Sequence, residues 1–537
     1  MDSKKTDLLI IGAGPAGSTF ARILVPAGMR TVMVDAGPQY SARPGEHLKN
    51  SFPFQRNPLS FTNLILGLLH PISIPTVAGS AATVDPIAFR PQTGFVRHGM
   101  NPKQHPGKNL ENAAALYAVG GMLLLWTGGV PRHHPTLERI PFISHKEWEE
   151  YLYPEAEKIL NKHDDVYSHS IRHIVVKEAL IEHYGNRLQN PYHVQDFPLA
   201  AERNAQNSEL VRFTGTDTIL APLLNDPEIT TDRFAVLPQH RVKRLVQQNG
   251  KIAYAEVHEL QSGQLLKIYA DTYVVACGTV MSAQLLWASG IRPEALGRYL
   301  VDHPMAFCQV ILRKELVKRM GDILNSAQFA EQRRWMAPHD PLPLPMNDPS
   351  ANVWIPVSDG RPWHSQITND VFYYADLPAN IDERIIVDFR WYAPMKPRPG
   401  NRVTFEEDIF NEFGMPQPTF EFTLSEKDSL ILHEMMGDMT NAAQALGGFL
   451  PNSGPRFVPW GINLHVQGAC RMGAQNDGKC VVDPYSKVWG IDNLYVAGNS
   501  VIPTSNACNP TLTNVALALR SASSIAGKKF AEGTLSG

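Results

Sequence analysis

The sequence predicts a mixed α/β fold, α+β overall, with one parallel sheet assembled from both ends of the chain around an inserted, sheet-based domain. Three observations carry this expectation. The chain opens on a short apolar strand pattern running into a glycine-rich turn, "DLLIIGAGPAGSTFARIL". A second strand, turn and helix, "DTYVVACGTVMSAQLLWASG", lies at the middle of the chain. A third strand, "DNLYVAGNSVIP", lies near its end, and both later strands fit the sheet that the first begins.

Taken in order, Asp7 to Ile11 reads as a buried parallel strand and Ala16 to Leu24 as a helix. Between them Gly12, Gly14 and Gly17 form G-x-G-x-x-G. The glycines suit a tight turn, close approach of a pyrophosphate, and helix-on-strand packing, with the helix N-terminus facing phosphate. "RTVMVDAG" supplies the second strand, and Asp35 ends it, 23 residues after Gly12, where a carboxylate can accept from ribose hydroxyls. The motif thus predicts a Rossmann-like dinucleotide site without separating NAD from FAD. Completion of the domain by the C-terminus, around an insertion, favours FAD. The insertion includes the strand-like "RIIVDFRWYAP" and "GNRVTFEED". Near the end, Asn509 precedes Pro510, which suits the first position of a helix from about Thr511 to Ile525. Asn509 then sits at the carboxyl end of the sheet, either capping that helix or bonding a ligand.

"NLHVQGACRMG" puts His465 on a glycine-rich bend, five residues before Cys470. Nothing near it reads as a third orienting group for a Cys-His nucleophile. The adjacent histidines of "PRHHP" read as surface or packing residues, not metal ligands.

The 537 residues, 43% hydrophobic and 19% charged, suffice for two or more domains. Lys plus Arg number 49 and Asp plus Glu 52, a net charge of −3, so no basic excess suggests nucleic acid or an anionic membrane. Five dispersed cysteines give neither a disulfide framework nor a zinc spacing. The N-terminal apolar run is too short for a signal peptide, and His70 and two prolines interrupt the longest apolar region. A cytoplasmic protein is the default expectation.

"GAGPAG", "HVQGACRMG" and "NPTLTN", joined in order by "FVRHGMNPKQHP", "AVGGMLLLWTGGVPRH", "SIRH", "RYLVDHPMAFCQV", "RPWHSQITNDVFYY" and "NEFGMPQPTFEF", resemble the glucose–methanol–choline family of FAD-dependent oxidoreductases, and within it the pyranose oxidase branch. The resemblance covers nearly the whole chain. It implies an FAD-binding domain from 1–60, 95–145, 225–300 and 456–537, a substrate-binding domain from 146–224 and 301–455, and an oligomerisation arm at 61–94, with oligomeric state open from monomer to tetramer. It implies that His465 is the catalytic base and Asn509 its partner, and that Thr127 lies beside the flavin. Val242, Gly278, Asn499 and Thr511 join Gly12, Gly14, Gly17 and Asp35 as cofactor contacts. Gln366, Asp370 and Arg390 match polar residues of the sugar pocket, and fit equally a buried ion-pair network. Phe372 and Tyr374 match aromatics of its substrate loop, and fit equally a strand core.

The sequence departs from covalent members of the family at one telling position. They carry the flavin-bonding histidine two residues before the threonine, where this chain has Leu125. Leucine offers no nucleophile, so the resemblance implies noncovalent FAD. Cys470 stands where many pyranose oxidases carry another histidine, and Asn463 is an altered pocket position beside His465. The expected activity is oxidation of a ring secondary hydroxyl, at C2 or C3 of a pyranose or glycoside, to a ketone with O2 reduced to H2O2. The alternatives are a dehydrogenase using quinones, oxidation of a non-sugar secondary alcohol, a noncatalytic flavin binder, and an NAD(P)-linked enzyme.

Overall fold

The computed structural model describes residues 3–51, 101–110, 112–204, 210–368, 380–411 and 413–527, with Gln55, Ser60, Phe61, Leu64, Ile72 and Ser73. Asp370, Phe372 and Tyr374, and most of the arm expected at 61–94, lie outside the described residues.

The opening strand is Ser3–Ile11, four residues longer at its start than its apolar core suggests, because Ser3 to Thr6 pair with Lys267 to Ala270. It lies between Leu265–Val275 and Thr31–Val34, parallel to both. Phe234–Leu237 continues the parallel order beside Thr31–Val34. The strand Leu265–Val275 has two partners: its first half meets the antiparallel strand Lys251–Glu259, and its last residues meet Leu494–Val496 in parallel. Both faces are covered, as a parallel sheet requires. Leu8 and Ile10 pack with Phe20 and Ala518 on one side, under the helices Pro15–Leu24 and Thr511–Ile525. Leu9 and Ile11 point to the other side, with Leu285 and Leu286 of the helix Thr279–Ala288. The two-residue period of a strand thus assigns each helix its face. Gly12 turns out of the opening strand at φ 107°, and a Cβ there would come within 2.4 Å of the Ala276 carbonyl.

The final helix occupies the range expected, with one difference: Pro510 is its N-cap, not its first residue. The expected strand "GNRVTFEED" is present as Arg402–Phe410; it pairs with Pro416–Glu421 in a two-stranded ribbon and touches the segment before the second sheet through a single bridge from Arg402 to Arg298. Gln284 of the helix Thr279–Ala288 ties that ribbon to the first sheet's layer through the Pro416 carbonyl (2.8 Å).

The second sheet is antiparallel at its centre: Met305–Leu312, Ile386–Tyr392, His364–Thr368 and Asn352–Ile355 follow in that order. The helix Glu426–Leu446 packs across it, started by a capping box between Ser425 and Asp428. Apolar residues of that helix, Met435 and Met439 among them, join Phe389 and Trp391 in the second core. Among the described residues no helix is long and apolar enough to cross a membrane.

One largely buried carboxylate holds helix and sheet together. Asp438 accepts from Trp363 Nε1 (2.8 Å), Trp391 Nε1 (2.9 Å) and Tyr184 Oη (3.0 Å), and pairs with Arg361 (3.0 Å). Its donors hold the carboxyl ionised despite burial; Arg361 is the largest of these influences. Asp438→Ala leaves three neutral donors and a buried guanidinium unpaired. It is expected to destabilise the protein by about 3–5 kcal/mol, read as a lower Tm in thermal unfolding; an unchanged Tm would contradict it.

Candidate active site

A cavity of about 290 Å³ lies at the carboxyl edge of the parallel sheet. Three helix N-termini face it: Gly14 to Ala16, Gly278 to Val280, and Pro510 to Asn514 all contribute to its lining. None of the three helices has a side-chain cap, so their first-turn N–H groups are open to the cavity. Together they make a positive field suited to a pyrophosphate and to an electron-rich ring. Gly14 and Gly17 divide the work the motif predicts. A Cβ at Gly17 would fall 2.1 Å from the Gly12 carbonyl, so this glycine serves packing. A Cβ at Gly14 would meet nothing within 4 Å and would occupy the cavity itself.

Asp35 lines the same cavity and accepts from the backbone of Ala13 (2.9 Å) and Gly37 (2.8 Å). Burial pushes its carboxyl up to about 6. Each oxygen retains a lone pair for a ribose hydroxyl. Val242, Gly278, Asn499 and Thr511 also line the cavity. The Asn499 and Asn514 side-chain oxygens are buried there with no hydrogen-bond partner. Buried acceptors left open in this way fit a ligand that brings donors, as the hydroxyls and ring N–H of FAD do. Thr127 is not part of this lining. It precedes Gly128 and Gly129, and Gly129 lies so close to Asn509 that a Cβ would stand 3.3 Å from its Cγ.

His465 closes the far end of the cavity. Its backbone N–H donates to Asn463 Oδ1 (2.9 Å), and the Asn463 amide donates in turn to the His303 carbonyl. The Asn463 side chain is therefore engaged in fixing backbone. Thr279 holds the next residue by donating to the Val466 carbonyl (2.6 Å), which couples His465 to one of the helix N-termini that face the cavity. Gly468 makes the bend at φ 90°, where a Cβ would meet the Tyr299 carbonyl at 2.7 Å.

The His465 Nε2 atom lies 3.4 Å from Asn509 Nδ2. Asn509 is not a helix cap: its Oδ1 accepts from Gln366 Nε2 (2.7 Å). Gln366 stands directly opposite Arg390 in the second sheet, so its bond to Asn509 links that sheet to the loop before the last helix. Arg390 approaches Asp388 at 3.4 Å, and Gln309 donates to Asp388 at 2.9 Å, a buried polar network of the kind these residue types also fit.

Three further buried residues have no motif of their own in the sequence. Glu138 accepts from the backbone of Ala507 (2.7 Å) and Cys508 (3.1 Å), fixing the loop that carries Asn509. His303 places Nδ1 3.1 Å from His465 Nδ1. His364 sits 2.8 Å from Gln366 Nε2 and accepts at Nδ1 from Trp354 (2.8 Å). Their only sequence trace is position, Glu138 shortly after "GGVPRH" and the two histidines within "VDHP" and "RPWH". His133 and His134 are buried, which removes the surface reading and keeps the packing one. Cys470 is buried beneath the Ser500 carbonyl (2.8 Å from its N–H), and burial raises its thiol well above the ordinary value.

The parallel sheet, glycine turn and converging helix N-termini define a dinucleotide-binding protein, and the match of residues 5–47 to an FAD binding domain makes it a flavin-type one. Residues 226–305 and 397–518 match GMC oxidoreductase. The chain is 35% identical over 579 residues to pyranose 2-oxidase of Emericella nidulans, covering 99% of this chain and 94% of that protein. It is 32% identical over 534 residues to C-glycoside 3-oxidase of Microbacterium trichothecenolyticum, covering 98% of each. The crystal structure of pyridoxine 4-oxidase from Mesorbium loti shares the fold at a TM-score of 0.64 and 16% identity, over 97% of this chain and 99% of that one. The chain belongs to the GMC oxidoreductases.

Burial holds the His465 ring well below its ordinary pKa, and the neighbouring His303 and His364 act in the same direction. A depressed histidine stays neutral, and so able to accept a proton, to lower pH than a free one. The rate of flavin reduction is therefore expected to show no loss as pH falls through 6.5, the ordinary histidine value. Anaerobic stopped-flow traces between about pH 5 and pH 9 check this; an acid limb centred at 6.5 or above would contradict it.

Proposed function

We propose that the protein is an FAD-dependent sugar oxidase that converts a ring secondary hydroxyl, at C2 or C3 of a pyranose or glycoside, to a ketone, with O2 reduced to H2O2. The carrying observation is the pair His465 Nε2 and Asn509 Nδ2, 3.4 Å apart at the end of a cavity that fits FAD. The names of the relatives, pyranose 2-oxidase and C-glycoside 3-oxidase, supply the substrate class.

FAD, when bound, supplies the acceptor for the hydride and passes the electron pair to O2. The chain's own residues do the rest. A hydroxyl between the two nitrogens donates its proton to His465 Nε2 while its oxygen accepts from Asn509 Nδ2. That second bond fixes the hydroxyl and stabilises the charge that develops on oxygen as the proton leaves. Gln366 holds Asn509 from behind, and Glu138 holds its loop. Gly12, Gly14, Asp35, Val242, Gly278, Asn499 and Thr511 are the residues proposed to hold the cofactor, with Gly17 supporting the turn. Thr127 acts through the loop beside Asn509. Gln366 and Arg390 are the proposed sugar contacts of the described residues, and the resemblance adds Asp370, Phe372 and Tyr374. The chain then divides as the resemblance implies, with 146–224 and 301–455 as the substrate-binding part.

The flavin is held without a covalent bond. Leu125 is buried among Ala118, Leu124 and Phe61, and its side chain has no nucleophilic atom to offer the flavin. Acid precipitation of the yellow protein is expected to leave the flavin in the supernatant; yellow colour retained in the pellet would contradict this.

Anaerobic mixing with glucose, and separately with a C-glucoside, tests the substrate class. Bleaching of the oxidised flavin band by either is expected, and product analysis then assigns C2 or C3. His465→Ala is expected to keep FAD and lose about 10²–10⁴-fold in the rate of reduction. Failure of both substrates to bleach the wild-type flavin would remove simple sugars from the proposal, and wild-type rates in His465→Ala would remove the base.

A further inference from the structure

We propose that His303 is a positioning residue that sets the tautomer of His465, so that the lone pair of the base points into the cavity; this rests on the reading of His465 as the base. A neutral imidazole carries one N–H and one lone pair, and whichever nitrogen is bonded behind the ring decides which one faces the substrate. The group behind His465 is another histidine. The two Nδ1 atoms are 3.1 Å apart and the rings meet edge-on at 70°. Only one of the two Nδ1 atoms can hold the hydrogen of that bond, so the tautomers of the rings are locked together.

The lock is set further back. His303 is fully buried, and its Nε2 lies 2.7 Å from Asn506 Oδ1. The orientation of the Asn506 amide is not free. Its Nδ2 donates to the Thr504 carbonyl (3.2 Å), which can only accept, and to Gln467 Oε1 (3.0 Å). The Gln467 amide returns a bond from Nε2 to Asn506 Oδ1 (3.0 Å). Asn506 therefore presents oxygen to His303, and oxygen calls for a hydrogen on His303 Nε2. A neutral His303 then has a bare Nδ1, which accepts from His465 Nδ1–H. That leaves His465 Nε2 with its lone pair on the side of Asn509 and the cavity.

The competing register is defined by a second short approach. Gln467 Nε2 is also 2.7 Å from His303 Nε2. If His303 Nε2 were bare and accepted from Gln467, the Asn506 oxygen would face a lone pair at 2.7 Å. His303 Nδ1–H would then donate to His465, and His465 would offer a hydrogen, not a lone pair, to the substrate. In the first register Asn506 Oδ1, held in place through the Thr504 carbonyl, accepts from both His303 Nε2 and Gln467 Nε2, at the cost of bringing those two donor nitrogens to 2.7 Å. This is the proposed register, and the nitrogen-15 measurement decides between the two. The proposed register also gives the protonated base an acceptor: after the substrate proton arrives at Nε2, the Nδ1–H of the imidazolium still donates to His303. The titratable groups facing His465 are His303 and His364, with the ring of Tyr392 5.5 Å away, and none of them carries a negative charge that would substitute for this acceptor.

The test uses the holoenzyme. Nitrogen-15 NMR of histidine-labelled wild-type protein, with the His465 signals assigned by their loss in His465→Ala, reports which ring nitrogen bears hydrogen. Hydrogen on Nδ1 and a bare Nε2 are expected; hydrogen on Nε2 in the oxidised, substrate-free enzyme would overturn the proposal. Kinetics give a second arm. His303→Leu, which removes the acceptor, is expected to slow flavin reduction by roughly 10–100-fold, the range for a buried N–H left without a partner, with KM nearly unchanged. His303→Asn, which can return an acceptor near the position of Nδ1, is expected to recover most of that loss. A folded, FAD-loaded His303→Leu that reduces at the wild-type rate, or a His303→Asn no better than it, would overturn the proposal. If the leucine variant does not fold, the NMR result decides alone. A wild-type enzyme that no sugar reduces would defeat the substrate reading and leave the tautomer measurement intact.

Discussion

The strand Leu494–Val496 enters the first sheet in parallel beside Tyr273 to Val275, and that pairing fixes where the later chain can go. A parallel strand delivers the next segment of chain to the carboxyl edge, the edge at which ligands bind in open α/β sheets. Gly498 and Asn499 come at once and line the cavity. Asn509 and the N-terminus of the last helix come next, and that helix packs back against the first one. Without this pairing, the glycine turn at the start of the chain and the polar residues at its end would have no common cavity. His465 arrives by another route, since Val301 and Gln467 exchange backbone hydrogen bonds and bring it beside His303.

Burial sets the terms inside the cavity. A polar side chain removed from water must find a partner or cost stability. Around His465 that demand is met by Asn463, His303, Asn506, Gln467, Asn509 and Gln366, each bonded to at least one other. A network under that demand has few allowed hydrogen positions. The same burial that depresses the basicity of His465 keeps it neutral, while hydrogen-bond acceptors decide which nitrogen is available. Under the proposed roles, catalytic competence and structural satisfaction become one requirement, since the amides of Asn506 and Gln467 that satisfy His303 also set which nitrogen of His465 carries the lone pair.

The parts of this arrangement legible in the sequence are those with local causes. Gly12, Gly14, Gly17 and Asp35 belong to one strand–turn–helix unit, and their spacing alone places them. The final helix is legible because Pro510 marks its start. His465 and Asn509 are legible only through resemblance, since a histidine on a bend and an asparagine before a proline have ordinary structural readings. His303, His364 and Glu138 are not legible at all. His303 meets His465 across 162 positions of chain and Glu138 meets Ala507 across 369, while His364 acts through its neighbour Gln366, which reaches Asn509 across 143; no local pattern encodes such pairings. The strand "GNRVTFEED" is legible as a strand but not in its partner, because alternation fixes which residues face inward and says nothing of which edge they meet.

The site also separates chemistry from selection. His465 and Asn509 are held by loops of the first sheet's domain, through Thr279 and Glu138. Gln366 and Arg390 stand on neighbouring strands of the second sheet, whose core is packed independently under the helix Glu426–Leu446. The amide of Gln366, bonded to Asn509, is the link between the two groups. A side chain on the second sheet can therefore change shape or charge toward the sugar without moving the base, provided that Gln366 keeps its bond. This division fits a family scaffold with relatives named pyranose 2-oxidase and C-glycoside 3-oxidase: under the proposed function the proton acceptor stays fixed, and the second sheet turns one ring carbon or another toward it.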